Sequence, residues 1–140
     1  MIALVRAMTM LQAPIPLTTV ARGDVSNIME PQQAVVRTMP EWQQLWNSHS
    51  GGDAARPPVD FAKRMVVGVF LGARNTGGYS VEITGVEIVD GSLVVRYSEK
   101  TPGAGMMTAQ VITAPFHLVS IDRFEGTVRF EKNEKQGRVR

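Results

Sequence analysis

The chain has 140 residues, of which 44% are apolar and 20% are charged, and this is the size and composition of one globular domain. It contains no cysteine, which excludes disulfides, thiolate metal sites, iron–sulfur clusters and thiol nucleophiles. The formal net charge is +2, but residues 131–140 carry four cations and two anions, so the other 130 residues hold 11 of each sign. Because the charges of these 130 residues balance and form no basic stripe, no nucleic-acid binding is predicted. The sequence has no apolar run of about 20 residues, so no membrane-spanning segment is predicted.

The N-terminal residues are apolar, with Arg6 and Thr9 as interruptions before Gln12. Their length fits the hydrophobic region of a signal peptide, but no cationic region precedes them and the cleavage pattern is poor. We therefore interpret residues 1–130 as a single β domain in which residues 1–13 are an arm of the fold, or alternatively the remnant of an export segment. Residues 131–140 are interpreted as a charged, disordered tail.

One helix is predicted after two early strands, which we place near residues 16–20 and 33–37. Thr38 and Glu41 have the spacing of a capping box, with Pro40 in the first turn. Four residues at helical spacing then form one aromatic-rich face, and a Ser-Gly-Gly-Asp stretch ends the helix. The four residues are Trp42, Leu45, Trp46 and His49. We interpret the tryptophans as closing one end of a β-sandwich.

Strand signals dominate from residue 65 onward. Residues 65–71 form a continuous apolar run, as expected for a strand that is covered on both faces. The next strand alternates from Tyr79 and then changes phase at Gly85, which predicts a β-bulge. Asp90-Gly91 follows and is typical of a tight hairpin turn into residues 92–97. Further strands are predicted at 109–113, 116–121 and 127–130. These elements predict a mainly β, single-domain Ig-like or barrel-like sandwich with one short capping helix.

Candidate catalytic and metal-binding groups are few, because the histidines are His49 and His117 alone. Along a strand, His117 points to the opposite face from Ser120 and Asp122, so a Ser-His-Asp triad is not predicted. Neither histidine has a recognised metal-ligand spacing to a carboxylate, such as those of Asp53 and Asp60. The glycine-rich residues 72–78 lack the Gly-Lys-Ser/Thr ending of a phosphate-binding loop and precede a strand. We therefore predict no enzyme activity, no metal and no cofactor.

Two loops carry residue types that are common in protein recognition. Residues 74–79 end in Tyr79, and residues 102–107 place Met106 and Met107 beside a glycine-rich turn. Methionine adapts its shape to a partner, and tyrosine offers a large contact area at small entropic cost. Two interpretations stay open: the three side chains form a recognition surface, or they fold inward as the end of the core.

Several segments together resemble the C-terminal domain family of the protease-complex subunit PrcB. They are residues 66–72, 77–83, 95–99 with Pro102-Gly103, and 113–119. The upstream Trp42/Leu45/Trp46 helix and residues 57–61 also resemble the family, so the resemblance covers roughly residues 30–130. The resemblance implies a small non-catalytic β domain, frequent in exported or lipid-anchored bacterial proteins and associated with a protease complex. This chain lacks a lipid-anchoring cysteine and a convincing signal peptide, so its location is left open.

A more distant similarity is to chagasin-like inhibitors of papain-type proteases, whose Ig-like sandwich presents three loops in the same order as residues 75–79, 103–106 and 115–116. The corresponding loops here lack a proline, an arginine and a tryptophan of that pattern. We predict a protein-binding module that is associated with a protease or protease complex. The alternatives are a chagasin-like inhibitor and a structural or assembly domain of the bacterial cell envelope. The predicted partner-binding residues are Arg74, Asn75, Thr76, Gly78, Tyr79, Gly105, Met106, Met107, Phe116 and His117.

Overall fold

A computed structural model describes residues 14–52 and 55–133 of the chain. It contains two β-sheets and one α-helix, which confirms the mainly β sandwich predicted from the sequence. The strands are β1 (Thr18–Gly23), β2 (Gln32–Val36), β3 (Arg64–Phe70), β4 (Ser80–Val89), β5 (Ser92–Lys100), β6 (Phe116–Asp122) and β7 (Val128–Lys132), and the helix is α1 (Met39–Ser50). The predicted N-terminal arm 1–13, the tail from residue 134 and the candidate ligand Asp53 lie outside the described residues.

The two sheets differ in size and in strand direction. One has four strands in the order β1-β6-β3-β2, all antiparallel, and the other has three strands in the order β4-β5-β7, with β7 parallel to β5. The chain enters along the smaller sheet, where the Ile15 amide donates to the Val86 carbonyl at 3.0 Å, and then joins the larger sheet as β1. Strands β3 and β6 occupy the centre of the larger sheet.

The main core lies between the two sheets. Alternate residues of β3 point into it, beginning with Met65 and Val67, because successive side chains of a strand face opposite sides. They meet Val119 and Ile121 of β6 and the inward residues of β4 and β5, such as Val95. The whole set is buried.

A second core, the helix-side core, lies on the other side of the larger sheet, under α1. Trp42 and Trp46 pack there against the remaining β3 residues, Val66 and Phe70, and against Leu118. The run of β3 is therefore covered on both faces, as predicted. The helix covers a face of the four-stranded sheet, so the expectation that the tryptophans close one end of the sandwich is corrected.

Local signals in the sequence correspond to local structure. The Thr38 hydroxyl accepts from the Glu41 amide, and the Glu41 carboxylate accepts from the Thr38 amide, which completes the capping box. Asp90 and Gly91 have φ angles of 51° and 81°, as a tight hairpin turn requires. The β4–β5 register shifts between Ile83 and Gly85, where the bulge was expected.

Two of the predicted elements differ in the structure. Residues 109–113 do not form a strand, and Thr113 makes only an isolated bridge with Arg74. Strand β7 continues to Lys132, past the predicted start of the tail, because Glu131 and Lys132 hold ion pairs with other strands. Within the described ranges, no helix has the length and apolar character needed to cross a membrane.

Candidate functional site

Three loops meet at one end of the sandwich. They are the β1–β2 loop (residues 24–31), the β3–β4 loop (71–79) and the β5–β6 loop (101–115). We call the surface that these three loops form the loop surface. Loops carried on a rigid sheet are a common location for binding residues, because the sheet fixes their ends.

Backbone hydrogen bonds join the β3–β4 loop to the β5–β6 loop. Arg74 and Thr113 exchange two such bonds at 2.8 and 2.9 Å, and the Gly77 amide donates to the Ala109 carbonyl at 2.9 Å. The loops also touch at Gly78, which has a φ of +92° and where an added Cβ would lie 3.1 Å from atoms of Pro102. A side chain at Gly78 would therefore be both conformationally strained and crowded.

The β1–β2 loop is bound both to the other two loops and to the helix. The Ala73 amide donates to the Met29 carbonyl, and the Ala114 amide donates to the Asp24 carbonyl, each at 2.9 Å. On the helix side, Ser26 Oγ lies 2.8 Å from His49 Nδ1, and both side chains are buried. Burial lowers the pKa of His49, which favours the neutral imidazole in this contact.

Arg74 is the central polar anchor of the loop surface. Its guanidinium donates twice to one Glu99 carboxylate oxygen, at 2.9 and 3.1 Å, and once to the Leu71 carbonyl at 3.1 Å. It also lies 5.7 Å from the centre of the Tyr79 ring, within the range of a cation–π contact. Burial raises the pKa of Glu99, but hydrogen bonds from Lys132 and Arg74 outweigh that effect and hold the pKa below its ordinary value.

Most of the exposed large apolar side chains lie on this surface. Seven such side chains stand out in the described chain, and six of them belong to the β1–β2 and β5–β6 loops. The six are Val25 (73% exposed), Met29 (48%), Met106 (58%), Met107 (93%), Val111 (54%) and Ile112 (65%). Clustered exposed apolar side chains are characteristic of interaction surfaces, whereas isolated ones are ordinary.

The predicted site residues divide into three groups. Asn75, Gly78, Gly105, Met106 and Met107 are exposed on the loop surface. Arg74, Thr76 and Tyr79 lie on the same surface but are half-buried, with Arg74 committed to internal bonds.

Phe116 and His117 form the third group, and both are buried within the fold, at 6% and 2% exposure. Phe116 packs in the helix-side core, 4.2 Å from the His49 ring centre and stacked on Phe70. Neither Phe116 nor His117 is presented at the loop surface. The expectation that they contact a partner is therefore replaced by a structural role.

His117 of β6 is engaged through both ring nitrogens, to β4 of the smaller sheet and to β1 of its own sheet. The Ile83 amide donates to Nδ1 at 2.9 Å, so the proton of the neutral ring resides on Nε2, which lies 2.9 Å from Thr19 Oγ1. Burial, with a smaller contribution from the positive charge of Arg22, lowers the pKa of His117 to about 4. The Ser120 hydroxyl accepts from Arg64 rather than contacting His117, whose ring nitrogens have other partners.

Four apolar residues of the loop surface were not predicted from the sequence: Val25, Met29, Val111 and Ile112. Val111 and Ile112 were assigned to a strand, although two adjacent apolar residues break the alternation of a half-buried strand and gave a usable signal. Val25 and Met29 offered no comparable signal. No cluster of three or more potential metal-ligating side chains occurs in the part of the chain that the structure describes.

The family model described as PrcB C-terminal matches residues 65–122, which run from the first residues of β3 to the end of β6. This match confirms the family resemblance over those residues. The matched segment includes the β3–β4 and β5–β6 loops. Comparisons with curated proteins and with solved structures gave no significant match.

Proposed function

Since residues 65–122 match the PrcB C-terminal family, we propose that the chain is a non-catalytic protein-binding domain associated with a protease complex. The domain binds its partner through the loop surface. Exposed methionine, valine and isoleucine side chains provide the contact area. Backbone hydrogen bonds between Arg74 and Thr113 join the β3–β4 loop to the β5–β6 loop, which carries four of these side chains.

The observation that carries this proposal is the clustering of six exposed apolar side chains on loops that are bonded to one another. Fully burying such a side chain contributes about 1.5–3 kcal/mol. A few well-placed anchors would therefore suffice for a specific complex. The loops are already joined by backbone hydrogen bonds, which reduces the entropy lost on binding.

The state of the histidines favours binding over catalysis. A general base must reach its substrate, yet His49 and His117 are both buried and engaged with neighbours inside the fold. The lowered pKa of each histidine follows mainly from burial. A structural role accounts for both residues.

Affinity capture from the native cells tests the proposal. Wild-type protein should retain a protease subunit, and the triple variant Met106→Ser/Met107→Ser/Ile112→Ser should lose it, because polar side chains remove the apolar contact area. Met39→Ser is the matched control, since Met39 is 38% exposed at the start of α1 and lies outside the loop surface. Equal retention by the triple variant, or capture without any protease subunit, would contradict the proposal.

A chagasin-like inhibitor is the second candidate, and one observation favours it. The structure brings residues 75–79 next to residues 102–109, as two of the three inhibitory loops would need. The third loop argues against it, because Pro115 and Phe116 are buried. An assembly role in the cell envelope has no comparable observation in its favour.

A further inference from the structure

The two sheets have four edge strands, and three of them carry features that discourage pairing with another strand. Strand β1 has a register irregularity between Thr19 and Ala21, and β4 has the bulge after Ile83. On β4, the Ile83 amide is also satisfied by His117. Strand β7 carries charged side chains at three of its five positions. Charges, bulges and covered backbone groups are the usual protections of sheet edges.

Strand β2 has none of these protections. Its five residues, Gln32–Val36, include no charged residue, no proline and no register shift against β3. Among the strands of the described residues, the sheet order places it at an edge, with β3 as its neighbour on one side only.

The phase of the sheet identifies which β2 backbone groups point outward. The Leu71 amide donates to Pro115, and the Lys63 carbonyl accepts from Arg123, so odd-numbered residues of β3 bond toward β6. Even-numbered residues of β3 therefore bond toward β2, where they pair with Gln32, Ala34 and Val36. The amide and carbonyl groups of Gln33 and Val35 are left facing away from the sheet.

A groove of about 320 Å³ runs along this edge, between β2 and α1. Its helix side is formed by Glu41, Gln44, Leu45 and Ser48. Of the described residues that line it, Glu41 alone is charged, and its Oε1 caps the helix by accepting from the Arg37 and Thr38 amides. The groove therefore carries one negative charge and is otherwise neutral.

We propose that β2 accepts an extended segment of the partner protein as a fifth strand, with alternate side chains of that segment lying in the groove. This inference rests on the proposed function, since β2 begins directly after the β1–β2 loop of the loop surface and one partner can span both. The segment is uncharged over most of its length and carries a basic side chain beside Glu41. Backbone pairing at an open sheet edge is a common mode of peptide recognition.

A second copy of the chain does not fit this groove. In a β2–β2 pairing, the residues that would face the groove are Ala34 and Val36 of the other copy. Both are buried under their own helix, at 6% and 3% exposure, so their side chains are not available to fill the groove of another copy. A separate extended peptide brings its own side chains.

The test is an NMR titration of isotope-labelled protein with the synthetic peptide acetyl-Val-Thr-Val-Lys-Val-amide. The amide signals of Gln33 and Val35 should shift saturably at millimolar peptide. A peptide methylated on alternate backbone nitrogens should not bind, and replacing its lysine by glutamate should weaken binding severalfold. Equal binding of the methylated peptide, or shifts confined to other surfaces, would overturn the inference.

Two variants make the test specific. Gln33→Pro removes an outward amide, a change that edge strands tolerate, and should abolish binding without unfolding the protein. Gln44→Arg should also abolish binding, because it fills the groove and repels the peptide lysine, whereas Gln43→Arg on the adjacent exposed position should not. Unchanged binding by Gln44→Arg would overturn the inference even if the proline variant did not fold.

The outcome is separable from that of the proposed function. The triple loop variant should bind the peptide as the wild type does, while losing the protease subunit. Concentration-dependent protection of the Gln33 and Val35 amides without peptide would assign the edge to a second copy and overturn the inference, leaving the loop surface unaffected.

Discussion

Arg74 donates two hydrogen bonds to Glu99, and this pair connects the start of the β3–β4 loop to the end of β5. Glu99 has a side chain only 11% exposed, so the pair is shielded from water far more than the ion pairs on the outer face of the smaller sheet. The contact fixes the base of the loop surface.

Removing this anchor should destabilise the protein. Arg74→Ala leaves the buried carboxylate of Glu99 with Lys132 alone, and we expect the free energy of unfolding to fall by about 1–3 kcal/mol. Arg129→Ala is the control, because its pair with Glu131 is exposed and should contribute about 0–1 kcal/mol. Urea denaturation of both variants gives the comparison, and equal losses would contradict the role assigned to Arg74.

Stability should depend on pH through His117. Its pKa is about 4 in the folded protein and about 6.5 when unfolded, so only the unfolded state binds the proton between these values. The free energy of unfolding should therefore be highest above pH 6.5 and should fall as the pH decreases toward 4. The buried His49, whose pKa is also lowered, contributes in the same direction.

Denaturation at a series of pH values measures this slope. His117→Gln should flatten it between pH 6.5 and 4.5, whereas Glu99 acts at lower pH, because its pKa lies below the ordinary 4.5. A slope unchanged by His117→Gln would show that the histidine does not carry the dependence.

Gly68 should be intolerant of a side chain. An added Cβ would lie 2.2 Å from Leu118 Cδ2, inside the fully buried helix-side core. We expect Gly68→Ala to destabilise the protein by about 1–3 kcal/mol, and Leu118→Val to restore part of the loss. Gly85→Ala is the control, because no atom lies within 4 Å of its added Cβ. Thermal unfolding distinguishes the variants, and a neutral Gly68→Ala would contradict the close approach of Leu118 to Gly68.

The protein should not inhibit a papain-type protease. Only two of the three loops that such an inhibitor presents are available here, because Pro115 and Phe116 are buried. A standard peptidase assay with a large molar excess of the protein should show an unchanged rate. Stoichiometric inhibition would instead favour the inhibitor alternative.

Local structure could be predicted from the sequence where residues close together in the chain determine it. The capping box of Thr38 and Glu41 and the turn at Asp90-Gly91 depend on residues within a few positions of each other. The double-sided burial of residues 65–71 followed from their unbroken apolar run. These features required no knowledge of what packs against them.

Contacts between residues far apart in the sequence could not be predicted in this way. Helical spacing identified the buried face of α1, but the same face could pack on an end or on a sheet. The burial of His117 depends on the Ile83 amide, which is 34 positions away and free only because β4 is an edge strand. Val111 and Ile112 are exposed because the β5–β6 loop leaves the sheet, whereas the sequence analysis assigned both residues to a strand.

Site-specific photo-crosslinking in the native cells tests whether the loop surface contacts a protease subunit, with a photoreactive benzoylphenylalanine introduced by substitution at Met107 or, as the control, at Met39. Met107 is 93% exposed on the loop surface. We expect a crosslink from position 107 to a protease subunit and none from position 39. A protease crosslink from position 39 alone, or crosslinks from position 107 that never include a protease subunit, would contradict this expectation.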